Sequence, residues 1–271
     1  MKEDLIFLLF IFSTTQFLGL YVASNFLNLI NAGLAEPVFE NPELASNSVI
    51  FFSLILLSTF LILLILKYFR IVLRGLEALA IFISSAFTFD LIFLNANFPI
   101  GIIFASILTF FRFFKPSTIT LNLALIFSAS GVAAIFGCSL GIVPSLLLLV
   151  FLSAYDFFSV FISKHMIYLA KELSKDSILI AGRPAKTKGK ISKKEGISRM
   201  GGGDIIIPLI FSISALRSYG LFSAILSIAG SIFSLFLLLS IGTKKLIKPL
   251  PALPFICSGT LAGFLLSIIK F

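Results

Sequence analysis

Asp156, in Ala154-Tyr155-Asp156-Phe157-Phe158, and Asp204, in Gly201-Gly202-Gly203-Asp204-Ile205-Ile206-Ile207, are carboxylates set in stretches apolar enough to cross a bilayer. A charged side chain at membrane depth costs roughly 2.5 kcal/mol or more on insertion scales, so it usually faces a cavity and serves a function. Two close carboxylates do not both ionise readily, and the pair holds a single proton. The ionised member can then take a proton from water while the protonated member polarises a carbonyl. Such a pair titrates as a unit, so neither aspartate receives a fixed role. Singly, an intramembrane aspartate is as readily an interhelical hydrogen-bonding group or a station of a proton relay as a catalytic group.

Other chemistries find little support. The single histidine, His165, stands beside Lys164, and there is no His-Glu-x-x-His or Gly-x-Ser-Gly. Cys138 and Cys257 lie in apolar contexts without a Cys-x-x-Cys, so they read as small packing residues, with neither a disulfide nor a metal site. With 59% hydrophobic and 12% charged residues and a mean hydropathy of +1.13, the chain is far more apolar than a soluble domain. The net charge of +9 falls in loops, where membrane topology wants it, and gives no sign of nucleic-acid binding.

The carboxylates must be positioned by spans of about 20 apolar residues. The apolar runs predict nine, at 5–30, 49–66, 71–92, 97–112, 118–138, 143–164, 200–217, 221–242 and 252–269. The fourth is short and carries Pro99. Leu5–Ile30 is too long for a signal peptide and follows Glu3 and Asp4, so it reads as an uncleaved first helix. The whole is one all-α membrane domain: helices one to six over 1–172, a basic cytoplasmic loop over 173–199, and helices seven to nine over 200–271.

Lys67, Arg70 and Arg74, then Arg112 and Lys115, then the long loop from Lys171 to Arg199, then Lys244, Lys245 and Lys248, all fall on one side of nine spans. The opposite connections carry Glu36, Glu40, Glu43 and Asp90, with Arg217 as their basic residue. The positive-inside rule therefore predicts a cytoplasmic amino terminus and an outer carboxyl terminus. Asp156 lies 13 residues beyond Val143, and Asp204 lies 13 residues before Arg217. Both are then about 20 Å from the outer face, on consecutive antiparallel helices that are expected to be neighbours. Equal depth on adjacent helices moves the balance toward catalysis.

Two further features adjoin the pair. Gly201, Gly202 and Gly203 remove side-chain bulk before Asp204, so that a substrate backbone can approach closely. In Lys248-Pro249-Leu250-Pro251-Ala252-Leu253-Pro254-Phe255, three prolines withdraw amide donors and hold the chain extended up to span nine. That segment reads as a rigid interfacial lead-in to a helix, or as irregular backbone at a water-filled cavity that could pair with an extended substrate.

Tyr155-Asp156, Gly201-x-Gly203-Asp204 and Pro251-Ala252-Leu253, in this order near the ends of spans six, seven and nine, resemble the presenilin and signal peptide peptidase family, its small prokaryotic members above all. The similarity runs on through Phe157-Phe158-Ser159-Val160, Lys164-His165-Met166 and Ile205-Ile206-Ile207-Pro208, and covers the first five spans by hydropathy alone. It implies a nine-helix intramembrane aspartyl protease without cofactor, with Asp156 and Asp204 as the catalytic pair. Tyr155, the three glycines, Pro251, Ala252 and Leu253 would shape the site and hold substrate. Substrates would be transmembrane proteins or signal peptides, cleaved in or near their membrane segments. The inferred amino-terminal side matches presenilin and is opposite to eukaryotic signal peptide peptidase. Gly202 stands where the family usually carries a larger apolar residue. Type IV prepilin peptidases share the glycine–aspartate motif but lack the proline–alanine–leucine element.

Among the remaining residues, Glu77 is expected to snorkel and pair with Arg74 or Arg70, and Asp90 to mark the outer boundary of its span. Gln16 and Asn122 are expected to bridge helices. Loop 173–200, with Gly182, Pro184 and Gly196, reads as solvated and in contact with anionic lipid, and Ser177–Ile180 and Ile191-Ser192 earn no strand assignment. The resemblance implies that part of this loop orders with substrate. A bare amino terminus and small size point to a prokaryotic cell membrane, archaeal by resemblance. The competing function is a proton-coupled transporter or channel using the two aspartates as a relay, which would want a repeat and midplane helix breaks instead of the proline segment.

Overall fold

Asn-Pro and Pro punctuation around long apolar runs leaves helices as the only elements that satisfy their own backbone in lipid. The computed structural model describes residues 2–68, 70–93, 100–159, 180–181, 200–245 and 251–269. Among these, the helices are α1 (Lys2–Asn31), α2 (Ser46–Tyr68), α3 (Arg70–Ile92), α4 (Ile100–Phe114), α5 (Thr118–Ser139), α6 (Ile142–Phe158), α7 (Gly202–Tyr219), α8 (Leu221–Lys245) and α9 (Ala252–Ile269). Five are long and apolar enough to cross a membrane, over Leu5–Asn31, Ile71–Ile92, Thr118–Ser139, Leu221–Ser240 and Ala252–Ile269. The chain is an all-α integral membrane protein. The part of the expected sixth span beyond Ser159, His165 and most of loop 173–199 lie outside the described residues.

Two departures from the expected spans bear on the site. Residues 200–201 are not helical: β2 (Met200–Gly201) pairs antiparallel with β1 (Ile180–Ala181), with Ile180 opposite Gly201 and Ala181 opposite Met200. Two residues per strand give no alternation to read, so the sequence carried no strand signal there. α7 is also enclosed by protein. From Pro208 to Ala215 every residue is buried, and α1, α5, α6, α8 and α9 all pack on it. Its serines are consequently satisfied internally: Ser212 donates to the Pro208 carbonyl at 3.0 Å and Ser214 to the Leu140 carbonyl at 2.9 Å. α7 stops at Gly220, whose φ of 86° suits glycine, and α8 begins at the next residue.

Lipid supplies no hydrophobic drive between helices, so small residues and close backbones hold them together. The α8–α9 seam shows this most clearly. A Cβ at Gly230 would strike the Gly259 backbone, and one at Gly263 would strike the Leu226 carbonyl. Ser234 donates across the same seam to the Phe255 carbonyl. Thr88 of α3 ties α5 through the Phe127 carbonyl at 2.8 Å.

Polar residues at the helix ends are used as caps. Carboxylates approach the first turns of α4 and α6: Asp90 reaches Gly101, and Glu43 reaches the N-cap Gly141, which has no side chain of its own to offer. A negative charge there meets the free amides and positive end of the helix. The α1–α2 connection is strapped alongside, through Gly141 N–H to the Pro42 carbonyl at 2.8 Å and Val38 N–H to Ser139 Oγ at 2.8 Å. Arg217, in the last turn of α7, donates to the Cys138 carbonyl at 3.3 Å, a cation set where α5 and α7 both end.

Glu77 forms an ion pair with Arg112, at 3.4 Å, with side chains 14% and 6% exposed, a partner the sequence did not point to. The fold folds α4 back along α3, which brings the last turn of one beside the first turns of the other, a proximity no spacing rule predicts. The Arg112 guanidinium also lies over the Phe113 ring, 5.2 Å from its centroid. Asn122 donates to the Thr118 carbonyl within its own helix at 2.7 Å.

Candidate active site

α6 and α7 run side by side, and each offers one aspartate near the same end of the bundle. Asp156 is in the last turn of α6 and 9% exposed, with Ser159 closing that turn by donating to the Asp156 carbonyl at 3.1 Å. Asp204 is in the first turn of α7 and half-buried. The two carboxylates lie within electrostatic reach of one another. The N-cap of α7, Gly201, is extended (φ −69°, ψ 145°) and is also the residue held in the β1–β2 pair. Its amide donates to the Asp204 carboxylate, and a Cβ on it would lie 3.4 Å from Asp204 Oδ2.

Gly202 is buried and Gly203 exposed. Among the described residues a Cβ at Gly203 would meet nothing nearer than Ile207 Cδ1 at 4.0 Å, so the side of α7 next to Asp204 is open to that extent. On α6, Ala154, Phe157 and Phe158 are exposed around Asp156. Tyr155 is half-buried and meets Phe52 of α2 edge-on, ring centroids 6.4 Å apart, which ties α6 to the sparsely packed second helix.

The proline segment enters the site through its backbone. Pro251 is buried and immediately precedes α9, Ala252 is the first helical residue, and Leu253 is 3% exposed. The amides of a helix's first turn have no partner inside the helix. The Leu253 amide is one of these, and it donates to the Asp156 carboxylate. Pro254, next along, has no N–H to give. Pro249 and Leu250 lie outside the described residues.

Two residues near the pair escaped sequence reasoning. Cys257, 2% exposed, is one turn past Leu253 on α9, and its thiol lies within electrostatic reach of both carboxylates. Ser153 is three residues before Asp156, on the same face of α6. The Ser153 hydroxyl meets the Cys257 thiol, and Asp156 Oδ2 is buried without a hydrogen-bond partner among the described residues. Helical spacing from Asp156 and Leu253 was the available signal for both. Gln16, expected to bridge helices, does so: it is fully buried and donates from Nε2 to the Ile205 carbonyl at 3.0 Å, one residue past Asp204.

A comparison with family profiles matches residues 9–271 to the family described as signal-peptide peptidase, presenilin aspartyl protease. A search of curated proteins returned no match. Two solved structures, each described as a presenilin family intramembrane aspartate protease and differing in crystal form, share the fold. The first has a TM-score of 0.74 and 23% identity, covering 99% of this chain and 100% of the other. The second has a TM-score of 0.68 and 24% identity, covering 95% and 97%. The chain belongs to the signal-peptide peptidase and presenilin family of aspartyl proteases, and is an aspartic-type endopeptidase built on membrane-spanning helices.

Proposed function

We propose that the protein hydrolyses peptide bonds in or near transmembrane segments of other proteins, signal peptides among them, with Asp156 and Asp204 as the catalytic pair. The observation that supports this reading is that Asp156 and Asp204, on the neighbouring helices α6 and α7, lie within electrostatic reach of one another. The pair shares one proton; the ionised member draws a proton from water as that water attacks, and the protonated member stabilises the oxygen of the scissile carbonyl. No covalent intermediate forms. The Leu253 amide fixes one edge of the Asp156 carboxylate, while Oδ2 has no hydrogen-bond partner among the described residues.

A scissile bond must leave its helix to be attacked, which requires an approach free of side chains. The open flank at Gly203 and the small residues Gly201, Gly202 and Ala252 suit that approach, and Tyr155 and Pro251 border it. In the membrane the amino terminus is cytoplasmic and the carboxyl terminus outside, from the distribution of Lys and Arg over the loops. The host membrane is that of a prokaryotic cell.

The test uses purified protein in liposomes with a tagged single-pass substrate, comparing wild type with Asp204→Ala. Cleavage by wild type, abolished in a variant that elutes and melts like wild type, is the expected result. Equal cleavage by both would remove Asp204 from the mechanism.

A further inference from the structure

Asp204 is carried on a turn that its own helix holds weakly. Three glycines precede it, and the N-cap Gly201 supplies no side-chain cap. Four residues later stands Pro208, which lacks the N–H that would bond the Asp204 carbonyl and whose ring presses on that carbonyl. A kink is expected between residues 204 and 208, and carbonyls beside a kink turn outward toward other donors.

α1 supplies the donor. Gln16, 0% exposed, gives its Nε2 to the Ile205 carbonyl at 3.0 Å. One turn along α1, Gly19 makes room for Leu209, whose side chain would collide with any Cβ there. Positions 16 and 19 of α1 thus grip positions 205 and 209 of α7, one contact on each side of Pro208. Gln16 Oε1 is buried without a hydrogen-bond partner among the described residues. Leaving a buried acceptor unsatisfied is destabilising. A leucine would fill the position without that cost, so the retained amide is there for its donor.

We infer that Gln16 is a positioning residue for the reaction: its amide holds the Ile205 carbonyl and thereby sets the Asp204 carboxylate against Asp156. This rests on the reading of Asp204 as catalytic. Gln16 does not touch substrate, so its loss lowers kcat and leaves KM in place. Displacing one carboxylate of a coupled pair also alters the proton sharing, and with it the shape of the pH–rate profile. The ionisable groups near this contact are the two carboxylates of the pair and, on α9, the buried Cys257 thiol beside them. Residues 7–19 of α1, 78–89 of α3, 118–130 of α5 and 221–240 of α8 contain none.

The experiment compares wild type, Gln16→Met and Asp204→Asn in liposomes, measuring kcat, KM, the pH–rate profile and thermal unfolding. Methionine keeps the length of the side chain and removes the donor. The expected result is a kcat lower by on the order of tenfold to a hundredfold with KM within about twofold, and a changed profile. Should Gln16→Met fail to assemble, Gln16→Asn, which keeps the amide but draws it back by one methylene, is expected to give the same split. A wild-type kcat in the variant would overturn the inference, as would a loss that only tracks the unfolded fraction and scales the profile without moving it. Activity in Asp204→Asn would instead sink the catalytic reading of Asp204 and leave the Gln16 contact as structure.

Discussion

Asp156 depends on one backbone amide from a distant helix, and that dependence can be isolated. Leu253→Pro removes the N–H at the second position of α9, where a helix tolerates proline because the amide has no intrahelical partner. A hydrogen bond to a charged group is worth about 1.5–3 kcal/mol, so cleavage should fall roughly tenfold to a hundredfold in a protein that still folds. Leu253→Ala, which keeps the amide, should lose less. If both substitutions cost the same, the side chain matters and the amide does not. At this scale the sequence showed which residue types gather near the pair, while the donor was invisible, because every residue but proline has an N–H and only the fold aims it.

At the scale of elements, α9 reaches Asp156 because α8 holds it at backbone contact. Gly263→Leu would force a side chain against the Leu226 carbonyl. Overpacking of this kind costs about 1–3 kcal/mol. Thermal unfolding should begin lower and cleavage should fall with it; a variant with unchanged melting and activity would mean that the seam is not tight. The helices themselves were legible from the length of the apolar runs, and α5, expected at 118–138, is found at Thr118–Ser139. The β1–β2 pair was not legible, since two residues per strand fall below any periodicity. Nor was the Glu77–Arg112 pair, whose partners lie 35 residues apart on α3 and α4.

For the whole molecule, the charge distribution makes a claim about orientation that labelling can check. A cysteine placed at Glu40, in the α1–α2 connection, should react with a membrane-impermeant thiol reagent applied to intact cells. One placed at Lys115, between α4 and α5, should react only after permeabilisation. The native cysteines do not interfere, since Cys138 and Cys257 are both buried. The reverse pattern would turn the molecule over and place the loop after α6 outside.

What the sequence determined by itself follows from local physics. Apolar runs long enough to cross lipid must be helices, basic loops must gather on one side, and a carboxylate inside such a run needs a reason to be there. Those rules give the spans, the family resemblance and the two aspartates. The tertiary structure decided what depends on which helices touch: α7 enclosed by five others, the Leu253 amide turned onto Asp156, and Gln16 bonded to a carbonyl 189 residues away. A donor or a small residue has the same one-letter code wherever it points, and only packing chooses its partner.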